Sequence, residues 1–150
     1  MDGSSRAIKE SDYIVQNGPH SRVYKKGESI KLNGKYGITA HSAKKVKSDV
    51  YYPETNEKIE VGKDKKIIEV KITLKNFSNK DFNLTTPVHF ELLGVSSVMS
   101  YSGELGRDKV KPNETLNGSL FFVVPKDVSV YTLIYQPDLP FMSDVVKFKL

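Results

Sequence analysis

No cysteine occurs among the 150 residues. Disulfides, thiolate metal sites and cysteine nucleophiles are excluded together. The compartment is not fixed by this, since exported bacterial domains commonly lack cysteine as well. Tryptophan is also absent, so any immunoglobulin likeness is one of topology, without the Cys pair and core Trp of antibody domains. No apolar run approaches the roughly 20 residues of a membrane span, and no signal-peptide core is present. Histidine is scarce: His20, His41 and His89 stand far apart, with no Glu or His at metal-ligand spacing. His41 and His89 alternate with apolar neighbours, which places them on solvent-facing sides of strands. No Gly-x-Ser-x-Gly elbow is present, and no window repeats apolar residues at helical spacing. Without a helix to open, no phosphate-cradling loop is expected. These absences leave no catalytic residue, cofactor site or metal site to assign, and a hydrolase is the weakest of three functional readings.

What is present is a period of two. In Lys66 to Phe77, Ile68, Val70, Ile72 and Leu74 alternate with Glu69, Lys71, Thr73 and Lys75. Successive strand side chains point to opposite faces, so one face is apolar and the other, including Thr73, faces water. Asn76-Phe77-Ser78-Asn79 stops the strand with turn formers. Asn76, Asn83, Asn113 and Asn117 each open an Asn-x-Ser/Thr triplet, of the kind turn-rich strands produce by chance. Leu116, Leu120, Phe122 and Val124 share a face of a second long strand, whose later half is apolar on both sides through Phe121 and Val123, as in a central strand. Shorter alternating runs are Glu28 to Leu32, Tyr36 to Val46, Val88 to Leu92, Tyr131 to Tyr135 and Val146 to Leu150. Asn33-Gly34 is the strongest hairpin signal in the chain. Pro125, Pro137 and Pro140 punctuate the later part. Regularly spaced strands without helices predict an all-β, immunoglobulin-like β-sandwich of about seven or eight antiparallel strands. Residues 1–21 read as a flexible polar leader or tether, with Tyr13-Ile14-Val15 as a candidate edge strand, and 22–150 as the sandwich. The first six residues have the composition of an added tag.

Charge is uneven. The total is +5, yet residues 21–47 carry eight lysines and arginines against Glu28 alone. Such a segment favours anionic partners and also keeps a small domain soluble. Residues 48–65 form a long loop, of a length that marks a binding loop or conceals a short strand. Its carboxylates, Asp49, Glu54, Glu57, Glu60 and Asp64, are interleaved with Lys58, Lys63 and Lys65, which repel a cation. The candidate binding surface is Tyr51, Tyr52, Lys44, Lys45 and Lys47, with two adjacent tyrosines beside a lysine run. A ribonucleoprotein-type signature is missing, so nucleic acid is not an expected partner.

The order of these features resembles an immunoglobulin-like domain of unknown function found in Gram-positive cell-envelope lipoproteins. The resemblance rests on Tyr36-Gly37-Ile38-Thr39, the variable charged loop, Ile67 to Asn76 with its strand-ending Asn, Lys111-Pro112-Asn113-Glu114-Thr115, Gly118 to Pro125, and Leu133-Ile134-Tyr135. It covers residues 22–150 and implies a non-enzymatic, extracytoplasmic domain with a binding or surface-presentation role. Held by a lipidated Cys upstream, its only membrane attachment would be that anchor. Its partners would be another envelope protein or an anionic wall or lipid surface. The alternative is a small-ligand or polyanion-binding module using segment 21–47 and loop 48–65.

Overall fold

The structure is a computed structural model that describes residues 8–18, 22–137 and 144–150. Its alternating segments become two face-to-face sheets. The first is six-stranded, in the order β1 (Tyr13–Gln16), β3 (Ser29–Leu32), β4 (Tyr36–Lys45), β5 (Lys65–Asn76), β11 (Thr115–Pro125) and β9 (Ser100–Gly103). The second is five-stranded, in the order β2 (Val23–Lys25), β13 (Val146–Lys149), β12 (Thr132–Tyr135), β7 (Phe90–Leu92) and β8 (Ser96–Ser97). A short ribbon of β6 (Phe82–Asn83) and β10 (Lys109–Val110) closes one side. The chain therefore holds thirteen strands among the described residues. The additional ones are two to four residues long, too short to show a period. Two pairings, β1 with β3 and β2 with β13, are parallel, not antiparallel as expected.

The parity reading of β5 and β11 holds at the core. Ile68, Val70, Ile72 and Leu74 face Leu116, Leu120, Phe122 and Val124 within one apolar cluster, and Phe90, Leu92, Leu133, Tyr135, Val146 and Phe148 meet them from the other sheet. Asn33 (φ 53) and Gly34 (φ 68) form the β3–β4 turn, closed by the Lys35 amide donating to Leu32 O at 3.0 Å. Both central residues need the left-handed region, which Asn and Gly tolerate best. Gly118 is required for a different reason. A Cβ there would lie 2.4 Å from Ser102 O and 2.6 Å from Leu105 Cγ.

Several expectations give way. The leader reading ends at Tyr13, since β1 is an edge strand of the large sheet and Gln16 is buried. Gln16 Nε2 donates to Val145 O at 3.0 Å, and Tyr24 Oη donates to Gln16 Oε1 at 2.9 Å. The run Val88 to Leu92 is not one strand. Thr86–His89 form a single helical turn, α1, with Pro87 in its first turn, and strand geometry begins only at Phe90. Val88 is thereby exposed and His89 is only 4% exposed, the reverse of the alternation read from sequence. Thr73 is likewise not a water-facing residue, at 5% exposure. His20 and the turn at residues 138–140 lie outside the described residues.

Candidate functional site

The outer face of the large sheet carries a polar row set by strand register. Tyr13 pairs with Ser29, Ser29 with Thr39, Thr39 with Thr73, and Thr73 with Asn117. Ser29 Oγ and Thr39 Oγ1 are 2.6 Å apart. Thr73 Oγ1 donates to Asn117 Oδ1 at 2.6 Å, so it accepts from His41 Nε2–H at 2.7 Å. His41 reaches that position because the register shifts between Ala40 and Ser42, which leaves it as the extra residue of a β-bulge. Burial, with Lys71 nearby, pulls the His41 pKa below its ordinary value. Burial pushes the Tyr13 phenol up, and its hydrogen bond with Thr39 draws it partly back. The row satisfies its own donors and acceptors, and no buried side-chain polar atom among the described residues lacks a partner.

The loop expected to bind is folded onto the same outer face. Tyr51 and Lys58 form an isolated bridge, and the Ile59 amide donates to Val50 O at 2.8 Å. Val50 and Ile59 bury themselves with Ile67 in a second small cluster, against Phe121, Val123, Tyr52 and Met99. The two-sided apolar pattern of β11 therefore has a cause: its second face lies under this loop. Tyr52 packs the loop down, while Tyr51 is 46% exposed. Lys44 and Lys45 end β4 in solvent, followed by exposed Lys47. A shallow cavity of about 320 Å³ lies here, lined by Lys45, Lys58, Lys65 and Lys66 but also by Asp49 and Glu60. Neither tyrosine lines it. The charges of segment 21–47 do not form one patch: Lys35, just before β4, and Lys45, its last residue, lie at opposite ends of a ten-residue strand, and Lys25 lies on β2 of the other sheet.

A larger concavity, about 620 Å³, sits at the other end of β4. Tyr36 and Phe82 meet edge to face at 5.2 Å between centroids, and Phe82 and His89 at 5.3 Å. All three line the groove, with Asn79 and Asp81 on the turn that follows β5 and Asn83 on β6. Asn76 holds that turn. Its Nδ2 donates to Lys80 O at 2.7 Å and Val110 O at 2.9 Å, and its Oδ1 accepts from the amide and hydroxyl of Ser78. His89 Nδ1 lies 2.9 Å from Gln136 O. A carbonyl only accepts, so Nδ1 carries the proton, and Nε2 is the acceptor atom of the neutral ring. The groove offers half-buried aromatic surface beside amide, hydroxyl and carboxylate groups. Sequence reasoning missed it because its residues come from the start of β4, the turn after β5, β6, α1 and the segment after β12. The available signal was the Asn-rich turn Asn76 to Asn83, next to Phe82.

Among the described residues no group of three or more His, Cys, Asp and Glu is placed to hold a metal ion. No helix among them is long and apolar enough to cross a membrane. The two sheets, the bulged β4 and the capping ribbon define an immunoglobulin-like all-β sandwich. Residues 24–146 match the model of the domain of unknown function DUF4352, and the chain belongs to that family. No curated protein matches it. The fold is similar to that of the yjhA protein from Bacillus subtilis, with a TM-score of 0.58 at 21% identity over 84% of this chain and 99% of that one. It is also similar to an uncharacterized β-sandwich protein from Clostridium difficile 630, with a TM-score of 0.55 at 15% identity over 87% of this chain and 96% of that one.

Proposed function

We propose that this chain is a non-enzymatic binding domain of the cell envelope, held outside the membrane through an upstream lipid anchor. It takes a small polar ligand in the groove of Tyr36, Phe82 and His89. The observation that carries this reading is the groove itself: about 620 Å³, within the size range of small-molecule sites. Partly exposed aromatic rings suit the C–H face of a ring-shaped ligand, and Asn79, Asn83 and Asp81 suit its hydroxyls. A saccharide unit has this combination. Support for a non-catalytic role comes from the partners of the described histidines, which are the Thr73 hydroxyl and the Gln136 carbonyl. Neither supplies the carboxylate that orients a general base. Support for the envelope comes from the sequence resemblance, which rests on Tyr36 to Thr39, Ile67 to Asn76, Lys111 to Thr115 and Gly118 to Pro125.

Saturation-transfer NMR against a panel of wall-derived mono- and disaccharides tests the groove. Ring-proton transfer is expected for at least one sugar and is expected to vanish in the doubly substituted Tyr36→Ala, Phe82→Ala protein. Transfer that survives this double change overturns the groove. Fractionation of cells carrying the full-length gene product tests the location, and recovery in the cytosol overturns it.

A further inference from the structure

Large apolar side chains are exposed together at one end of the sandwich, opposite the groove. Leu93 is 54% exposed, Val95 37% and Val130 58%. Leu93 and Val95 flank Gly94 (φ 69) at the tip of the β7–β8 hairpin. The Leu93 amide donates to Thr132 O at 2.9 Å, which sets that tip against the start of β12, two residues after Val130. The same end is rich in lysine. Pro125 pairs with Lys65 where β11 leaves the large sheet, and the Lys126 amide donates to Asp64 O at 2.8 Å. The short passage from Lys126 to Tyr131 then delivers the chain to β12. Lys149 pairs with Thr132 from the neighbouring strand. Lys65, Lys126 and Lys149 are exposed. Asp64 and Asp127 lie among them, with Lys63 adjacent in sequence.

We infer that this end docks on an anionic lipid bilayer, with Leu93, Val95 and Val130 entering the headgroup region and the surrounding lysines meeting lipid phosphates. Exposed aliphatic side chains on short tight loops mark a contact surface. Juxtaposed cationic side chains select a negatively charged one. A bilayer interface satisfies both needs, since apolar groups sink to the acyl boundary while ammoniums stay at headgroup level. A soluble polyanion would use the lysines and leave the aliphatic tip without a role. The inference stands on this tip alone and is independent of the groove.

The absence of tryptophan provides the test. In the full chain, Leu93→Trp introduces a single indole reporter. Its emission is expected to shift to the blue, and to be quenched by brominated acyl chains, on vesicles containing phosphatidylglycerol but not on pure phosphatidylcholine. In co-sedimentation, Leu93→Asp combined with Val130→Asp is expected to lower the bound fraction about tenfold or more, as is Lys65→Glu combined with Lys126→Glu. The changed side chains are exposed, so unchanged thermal melts confirm folding. Against soluble polyphosphate, only the lysine changes are expected to weaken binding. An unquenched indole on phosphatidylglycerol vesicles overturns the inference. So does full vesicle binding by the aspartate variant, which identifies a polyanion site instead.

Discussion

At the scale of the residue, polar side chains decide more than the alternation suggested. Thr73 lies on the face opposite the core, yet His41 and Asn117 seal it from water. Thr73→Val keeps the shape but leaves the Asn117 oxygen and the His41 Nε2–H without their partner. A loss of about 1–3 kcal/mol in urea unfolding is expected. Asn76 is a stronger case, because four hydrogen bonds converge on one buried amide. Asn76→Ala is expected to cost about 2–4 kcal/mol and to loosen the turn that forms one wall of the groove. The same burial that makes Asn76 structural leaves its Asn-x-Ser triplet without meaning as a modification signal. His41 gives these residues a pH signature. Its pKa is depressed in the folded state, so the unfolded chain binds its proton more readily. The stabilising contribution is complete above the ordinary histidine value of about 6.5 and declines as pH falls below it. Thermal melts are expected to drop between about pH 7 and pH 5.5, and His41→Asn is expected to flatten that decline.

At the scale of the element, loop 48–65 behaves as a third layer. Val50 and Ile59 exist to cover Ile67, Phe121 and Val123. Ile59→Ser is expected to detach the loop while leaving the two-sheet core intact. Limited proteolysis would cut between Tyr51 and Gly62, and unfolding free energy would fall by only about 1–3 kcal/mol. Core changes contrast with this: Phe122→Ala is expected to cost about 3–5 kcal/mol, because Phe122 packs between both sheets. These two elements also show where the sequence was informative. The long strands β5 and β11 were legible because a half-buried strand writes its burial into a period of two. The bulge at His41 was not, because one extra residue breaks the period without any distinctive residue type. The turn Thr86–His89 was missed because Val88, Phe90 and Leu92 keep strand spacing across a helix-to-strand junction. The exposure of Lys44, Lys45 and Lys47 was legible, whereas neither the packing of Tyr52 under the loop nor the groove was. Its walls come from Tyr36, Phe82 and His89, which sequence separates and only the return of β5 through its turn brings together.

At the scale of the molecule, the N-terminal segment acts as a clamp across the open side of the sandwich. β1 pairs with β3 in the large sheet, and β2, a few residues later, pairs with β13 in the small one. Gln16, the last residue of β1, ties the two sheets: its side chain bonds to Val145 O beside β13 and to the Tyr24 hydroxyl of β2, both belonging to the small sheet's side. The amide of Asn33 donates to Gln16 O at 2.8 Å, and Tyr13 stacks edge-on against Phe77 at 4.9 Å. The family match begins at residue 24, so β1 lies outside the matched range although it is built into the sheet. Removing residues 1–17 would strip β3 of its neighbour and leave Ser29–Leu32 as an uncovered edge. An unpaired edge of apolar residues is a template for a second chain. The shortened protein is therefore expected to melt several degrees lower and to associate with rising concentration, seen as a growing dimer or larger species in light scattering. The intact chain, with β1 in place, is expected to show no such association through this edge. Placing Lys at Ile30 in the shortened chain is not a fair control, since Ile30 is fully buried. Proline at Lys31, which is half-buried on the outer side of β3, blocks strand addition while sparing the core. If the shortened chain stays monomeric at all concentrations and keeps its melting temperature, β1 is a passenger on the sheet and not the clamp that closes it.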